Sequence, residues 1–234
     1  MQESSKTAAL ASAIGVAACV SIAAGIAGIH ASVLMPLHGF LIFAGAIAIG
    51  GLLSLMLGLS GLFITRKHTG AAARRKAITG TLIGAALVAA LAAIVIDGRQ
   101  YPRINDITTD VDDPPGFSSD AIPAYPDAFK ALVKQHYPDL QTYRADAAPE
   151  RAFSRAQAAA ALQWTLTEAD AAAGIIEATD TSALFQFVDD IVVRIRPDGT
   201  GSALDVRSRS RDGRGDFGVN AKRIRAFINQ LKGA

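Results

Sequence analysis

The sequence predicts three transmembrane α-helices followed by an α+β domain, in which helices pack on one face of an antiparallel sheet. Three long apolar runs fall within the first 96 residues, and alternating hydrophobicity replaces helical periodicity near residue 164. An Asp-Gly turn then separates two alternating segments near residue 198. The 234 residues are 50% hydrophobic with a mean hydropathy of +0.28, which indicates a membrane part joined to a soluble part.

The membrane domain is predicted to occupy residues 1–96, with spans at 8–29, 39–65 and 77–96. Each run is uncharged and has about the 20 residues that a membrane-spanning helix needs. The loop after the second span, RKHTGAAARRK, carries five Lys and Arg, whereas the loop after the first carries none. The positive-inside rule places the basic loop and the N-terminus in the cytoplasm. A multi-pass protein of the inner membrane is therefore expected, with residues 97–234 as an extracytoplasmic, in bacteria periplasmic, domain.

Charge and cysteine content exclude several classes of function. The first 96 residues hold six Lys and Arg and one acid, whereas residues 97–234 hold 17 and 20. Because the soluble part is net acidic, nucleic acid is not expected as a partner. Cys19 is the only cysteine and lies in an apolar run, so no disulfide or cysteine-based metal site is expected in the soluble part.

No cofactor or metal is expected, and the two alternatives, a histidine-bound metal or haem and a calcium loop, each lack a feature that such a site needs. His30 and His38 form a pair without a third ligand. The acids of residues 106–113 resemble a calcium loop but lack the Asp-x-Asp-x-Asp-Gly spacing.

Small residues recur in the second and third spans at spacings that allow close helix packing. They are Gly58-x-x-Gly61 and Gly80-x-x-x-Gly84. Small residues let helix backbones approach closely in a membrane. This pattern predicts packing within the three-helix bundle, and a dimer interface is the alternative.

The soluble domain begins with an irregular segment over residues 97–126, where prolines 114, 115 and 123 block a helix. Helices are predicted to start at Asp127 and at Pro149, the first ending before Pro138. Strands are predicted at 164–168 and 174–178, and a last helix at 218–231. Asp216 or Asn220 is placed to cap that helix. Its expected apolar side consists of Phe217, Ala221, Ile224, Ile228 and Leu231.

Residues 185–196 and 202–211 form the strongest hairpin signal. With Asp198-Gly199 as the loop, Val193 faces Leu204 and Asp190 faces Arg207. The predicted core face comprises Phe185, Phe187, Ile191, Val193, Ile195, Leu204 and Val206. The opposite face carries Asp190, Arg194, Arg196, Asp205, Arg207, Arg209 and Arg211. Asp189 is the exception, because it falls on the apolar face opposite Ser208, where we expect it to be hydrogen-bonded.

The segments INDITTD with the following DDPP, and RSRSRDGRGDFGVNAKRIR, resemble the uncharacterised bacterial domain family numbered 1499. The resemblance covers residues 101–231 and leaves the apolar helices outside. The family carries no known activity, so the resemblance implies no catalytic residues. The residues expected to be structural within these motifs are Asn105, Asp106, Thr109, Asp110, Asp190, Asp205, Asp216, Asn220 and Arg223.

The arginine-rich sheet face supports two hypotheses. In the first, the arginines pair with the acids of residues 106–113 and attach that loop to the sheet. In the second, they bind an anionic lipid head group or an envelope polyanion, because arginine forks match phosphate and carboxylate. The candidate anion-binding residues are Arg194, Arg196, Arg207, Arg209, Arg211 and Arg214.

Two further classes of function remain alternatives. One is an envelope scaffold or assembly subunit that binds a membrane partner or forms a homo-oligomer. The other is a hydrolase-type enzyme without a recognisable motif, since the soluble part holds one histidine, His136, and no nucleophile arrangement.

Overall fold

The computed structural model describes residues 2–65 and 70–233, with side chains from residue 6 onwards. The chain divides into two compact units, residues 1–100 with 183–186, and residues 101–182 with 187–234. Residues 66–69, which begin the predicted basic loop, lie outside the described residues.

Apolar helices build the first unit. They are α1 (Gln2–His30), α2 (Pro36–Gly45), α3 (Gly51–Ile64) and α4 (Ala71–Gly98), and a π-helical turn at Ala46–Gly50 joins α2 to α3. The stretches Lys6–His30, Pro36–Ile64 and Ala71–Gly98 are long and apolar enough to cross a membrane. The three predicted apolar helices are confirmed; the first and third are longer than predicted, and the second begins three residues earlier and ends one residue earlier.

Glycines and one serine bring these helices together. Ser54 is fully buried, and its hydroxyl lies 2.9 Å from the carbonyl oxygens of both Ala11 and Gly80. A Cβ on Gly80 would stand 2.7 Å from the Cβ of Ala11, and one on Gly84 would meet the backbone of Leu55. The predicted packing of small residues within the bundle is confirmed, so these faces are occupied inside the chain.

The second unit contains a six-stranded antiparallel sheet. Its strands are β1 (Asp106–Thr108), β2 (Tyr143–Ala145), β3 (Thr165–Asp170), β4 (Ile175–Thr181), β5 (Val188–Asp198) and β6 (Gly201–Ser210). Its helices are α5 (Asp127–His136), α6 (Pro149–Gln163) and α7 (Val219–Gly233). The strand order is β1-β6-β5-β4-β3. Strand β2 pairs with the first part of β6, and β1 pairs with its later part. The α+β class and the antiparallel sheet are confirmed, while the three-residue strands β1 and β2 were too short to predict.

The core lies between one sheet face and the helices α6 and α7. Alternate residues of β5 and β6, including Ile191, Val193, Leu204 and Val206, are almost fully buried there. From the helices, small alanines of α6 and the larger side chains of α7, such as Phe227, complete the core. The core is therefore formed where the alternate buried residues of the strands pack against the apolar sides of α6 and α7.

The hairpin register differs from the prediction. Asp198 pairs with Gly201, so the loop is Gly199-Thr200 and the predicted Asp198-Gly199 loop is wrong. Gly199 has φ +59° in the first loop position, as a type II′ turn requires. Val193 consequently pairs with Val206, and Asp190 pairs with Arg209. Because the shift is two residues, each side chain keeps its predicted face. Asp189 keeps its face too, but it lies opposite Ser210 instead of Ser208.

Three phenylalanines differ from the predicted core. Strand β5 begins at Val188, after Gln186 with φ +54°, so Phe185 and Phe187 do not extend it. Phe185 belongs to the first unit, where its ring centroid lies 5.3 Å from that of Phe40. Phe217 has φ +52° and is 48% exposed, because the chain turns there before α7 begins.

Replacing Gly80 by Ala is expected to destabilise the helix bundle, because the new Cβ would stand 2.8 Å from the backbone of Ala11. Overpacking of this kind costs about 1–3 kcal/mol. Gly45→Ala is the matched control, since a Cβ at Gly45 meets nothing within 4 Å and alanine favours helix. Thermal unfolding of both variants in one detergent checks this, and equal midpoints would contradict the packing described here.

Candidate functional site

The charged face of β5 and β6 is the candidate site. This arginine face carries Arg194, Arg196, Arg207, Arg209 and Arg211, which alternate with the core residues of the two strands. Residues 109–126, here called the cover segment, lie against the arginine face. The cover segment has no helix or strand, so its backbone groups lack regular hydrogen bonds. Its carbonyl groups therefore need donors from elsewhere, and the arginine face can supply them.

A fully buried carboxylate, Asp205, anchors one end of the arginine face. Its Oδ2 accepts hydrogen bonds from Arg196 at 2.8 Å and from Arg194 at 3.3 Å. Its Oδ1 accepts hydrogen bonds from the hydroxyls of Thr142 at 2.6 Å and Thr109 at 3.4 Å. Two cations and two hydroxyls therefore compensate the charge of Asp205 inside the protein, as a buried carboxylate requires.

The cover segment supplies the second layer of this cluster. Asp110 lies 3.3 Å from Arg196 and 3.6 Å from Arg194, and Asp113 pairs with the same two arginines at 2.9 and 3.1 Å. Asp110 also accepts the backbone N–H groups of Asp112 and Asp113, which fixes the turn. Thus Asp110 and Asp113, two of the predicted acids, attach the cover segment to the sheet.

Arg207 and Asp106 form the most buried ion pair of the arginine face, with side chains 3% and 2% exposed. The guanidinium donates from Nε to Oδ1 at 3.0 Å and from NH2 to Oδ2 at 2.8 Å. It also donates to the carbonyl oxygens of Pro115 and Pro123 in the cover segment. Burial raises the pKa of the Asp106 carboxyl, and its bonds to Arg207 oppose that rise.

Two aromatic rings enclose the same guanidinium. The centroids of Phe117 and Tyr125 lie 5.1 and 5.5 Å from the Arg207 Cζ, which allows cation–π attraction. Burial, together with the charge of Asp106, raises the pKa of the Tyr125 hydroxyl. Tyr125 therefore stays neutral, and Arg207 is closed off by the cover segment.

Arg209 differs from the other members of the arginine face. Its side chain is 20% exposed, and within the described chain its one carboxylate neighbour is Asp106, at 3.9 Å from Nε. The guanidinium group of Arg209 makes no hydrogen bond among the described residues. Arg211, the next arginine along, instead holds Asp190 with three bonds of 2.7 to 3.1 Å. Arg209 is thus partly desolvated without a close counter-ion.

Arg209 opens into a groove of about 390 Å³ between the sheet and the cover segment. The lining residues are Phe117, Ser119, Ala121, Ile122, Thr167, Glu177, Ala178, Thr179, Asp190, Arg209 and Arg211. This Arg209 groove has the size of a site for a small ligand and combines apolar walls with a few charged groups. Glu177 is not among the predicted site residues, although the strand alternation around Ile176 and Ala178 places it on the charged side of the sheet.

A second polar network lies on the helix-covered face of the sheet. Arg223 of α7 is 7% exposed and donates to Asp180 at 2.8 Å, pairs with Asp189 at 2.7 Å and donates to the Ser208 hydroxyl at 3.0 Å. The prediction that Asp189 is satisfied on this face is confirmed, with Arg223 as its partner. Fully buried Asn220 joins this network through Ser208, at 2.6 Å.

The motif residues near the start of α7 have structural contacts. Asp216 accepts the backbone N–H groups of Gly218 and Asn220 at 2.9 Å each, which confirms it as the cap of α7. Burial raises the pKa of the Asp216 carboxyl, against the effect of these bonds. Asn105 donates to the carbonyls of Ser210 and Gly213, which closes the turn after β6.

The predicted candidates therefore separate into different places. Arg194, Arg196, Arg207 and Arg211 are engaged by carboxylates of the domain itself, and Arg209 lines the groove. Arg214 is exposed in the turn after β6, with no ion pair within the described residues. In residues 2–65 and 70–233, no three His, Cys, Asp or Glu side chains are grouped to hold a metal ion.

Residues 106–231 match the family model described as "Protein of unknown function (DUF1499)". The chain belongs to the DUF1499 family. The match runs from β1 through α7, so the DUF1499 region contains the arginine face, the cover segment and the Arg223 network, and excludes the three apolar helices. No curated protein and no solved structure matches this chain.

Arg207→Met is expected to lower the free energy of unfolding by about 3–5 kcal/mol, because it leaves the buried carboxylate of Asp106 without its partner. The double variant Asp106→Leu/Arg207→Met should recover much of that loss, since no buried charge remains. Denaturant unfolding in detergent measures both.

Arg225→Met serves as the matched control. Arg225 also holds a carboxylate, Asp139, and lies over a ring, Tyr137, but the two charged side chains are 37% and 53% exposed. The cost there should be about 0–1 kcal/mol. Equal losses in the Arg207 and Arg225 variants would show that burial does not set the strength of the Arg207 pair.

Proposed function

We propose that this protein is a membrane-anchored domain that binds a small anionic group in the Arg209 groove. The observation that carries the proposal is Arg209 itself, a guanidinium with 20% exposure and no carboxylate closer than 3.9 Å in the described chain. Four neighbouring arginines have carboxylates within 3.3 Å, so their charge is already matched. A phosphate or carboxylate oxygen would supply the missing partner of Arg209.

The environment of Arg209 favours binding over simple solvation. A guanidinium in a groove that excludes part of the solvent attracts an anion more strongly than one in water, because the local dielectric constant is lower. Exposed Arg214 lacks this advantage. The two therefore form a natural comparison of the same charge in two environments.

The apolar helices suggest the source of the anion. A chain held at a bilayer encounters lipid head groups and envelope polyanions at high local concentration. By the positive-inside rule, the basic loop after the second span supports a cytoplasmic N-terminus and a DUF1499 region on the extracytoplasmic side of the inner membrane. Arg74, Arg75 and Lys76, the described part of that loop, are exposed at the start of α4.

Arg209→Gln is expected to weaken binding of sn-glycero-3-phosphoglycerol, a phosphodiester with one negative charge, by about 10–100-fold. A hydrogen bond to a charged group contributes about 1.5–3 kcal/mol, and 1.4 kcal/mol corresponds to a factor of ten. Isothermal titration of the full chain in a non-ionic detergent provides the measurement.

Arg214→Gln is the control, with the same substitution at an exposed arginine, and should bind like the wild type. Thermal unfolding should be nearly unchanged in both variants, because the Arg209 side chain makes no hydrogen bond within the described residues and its nearest carboxylate is 3.9 Å away. Equal affinity of wild type and Arg209→Gln, or no binding to either, would overturn the proposal.

A further inference from the structure

Besides Arg209, whose nearest carboxylate is 3.9 Å away, the Arg209 groove contains the carboxylate of Glu177, which has no ion pair within the described residues. Its residue is 7% exposed, and its Oε1 accepts the backbone N–H of Ser118 from the cover segment. Within the described residues no Lys, Arg or His nitrogen lies within 4 Å of it. A buried carboxylate is costly unless it is paired, so Glu177 is a group prepared for a cationic or hydrogen-bond-donating partner.

The sheet register keeps Glu177 and Arg209 on one face but apart. Glu177 pairs with Val192 on β5, and Val192 pairs with Arg207 on β6, so Glu177 lies one row of side chains from Arg209. Two strand spacings separate their backbones across the sheet, about 10 Å. Glu177 and Arg209 therefore present opposite charges at two ends of the same groove.

The other charges of the groove are already matched. Asp190 lies beside Arg209 in the pairing but accepts all three of its charged hydrogen bonds from Arg211. The two arginines and two carboxylates that line the groove sum to zero. A ligand with only negative charge would satisfy Arg209 and leave Glu177 unpaired beside it.

We infer that the Arg209 groove binds a zwitterion, a phosphodiester joined by a short carbon chain to a primary ammonium. This inference rests on the proposed anion binding and names its ligand class. The phosphodiester contacts Arg209 and the ammonium donates to Glu177, which pairs both unmatched charges in one step. Phe117 and Ile122 of the cover segment line the groove and offer apolar surface to the carbon chain.

The hydrogen-bonding groups select a primary ammonium over a quaternary one. A quaternary ammonium has no N–H to donate and is usually held by stacked aromatic rings. Phe117 is the aromatic residue of the groove lining, and its face is already taken by Arg207 at 5.1 Å. Glu177, in contrast, is an acceptor that suits N–H donors.

The test compares sn-glycero-3-phosphoethanolamine with sn-glycero-3-phosphoglycerol, two diesters that differ in the ammonium, by titration of the full chain in detergent. The wild type should bind the ethanolamine diester at least tenfold more tightly. Glu177→Gln should remove this preference and leave the affinity for the glycerol diester unchanged or higher. Glu150→Gln, at an exposed glutamate in the first turn of α6, is the matched control and should behave as the wild type.

The outcomes separate the two proposals. Equal affinity of the wild type for the two diesters overturns the zwitterion inference while anion binding at Arg209 stands. Loss of the preference in Glu150→Gln as well as in Glu177→Gln also overturns it. Arg209→Gln should weaken both diesters, and no effect of Arg209→Gln overturns the anion proposal together with the inference. If Glu177→Gln fails to fold, the comparison of the two diesters on the wild type decides alone.

A second arm identifies the source of the zwitterion. Mixed micelles of the detergent with phosphatidylethanolamine or phosphatidylglycerol are added as competitors of the soluble ethanolamine diester. Displacement by the ethanolamine lipid alone assigns a lipid head group as the ligand. Absence of displacement by either lipid assigns a soluble diester, and equal displacement by both lipids counts against the inference.

Discussion

Pairing of arginine with buried aspartate is the constraint on which this domain depends. The sheet has one face covered by two amphipathic helices and another covered by a segment without regular structure. The cover segment cannot form all its backbone hydrogen bonds by itself. Guanidinium groups of the arginine face therefore donate hydrogen bonds to its carbonyl and carboxylate groups. Arg207, paired with Asp106, holds the carbonyls of the cover segment, and Arg194 and Arg196, paired with Asp205, hold its acids Asp110 and Asp113. Each pair is weak evidence of stability alone, but removal of one partner would leave a buried charge.

The same constraint explains why the groove stands out. Where nearly every charge of a face has an opposite charge within 3.3 Å, a cation and a carboxylate without so close an ion pair are exceptions to the local pattern. Arg209 and Glu177 are these exceptions, and both line one concave space. Residues that break the pattern of their surroundings are where function is expected, because a folded protein otherwise matches its buried charges.

Strong periodicity made most of the fold predictable. The apolar helices, α5, α6, α7 and the separation of the hairpin into two faces all followed from spacing of apolar residues. The hairpin loop was predicted one residue too early. Asp198-Gly199 suits the two central positions of a type I′ turn, whereas the chain uses Gly199 as the first central residue of a type II′ turn. Pairing of the acids with the arginines was among the hypotheses, but which arginine lacks a partner depends on distances. Glu177 went unnoticed because the predicted strand at 174–178 had no assigned neighbour, so nothing placed it beside the arginine-bearing hairpin.

The π-helical turn at Ala46–Gly50 has a consequence for how the middle apolar helix tolerates the loss of a residue. A π turn accommodates one residue more than an α turn, and each residue of an α-helix rotates the chain by about 100°. Loss of one residue there would restore a regular α-helix and rotate Gly51, Ser54, Gly58 and Gly61 relative to α2. These four residues are buried against the other helices. The number of residues in Ala46–Gly50, rather than their apolar character, therefore sets the rotation of α3 relative to α2.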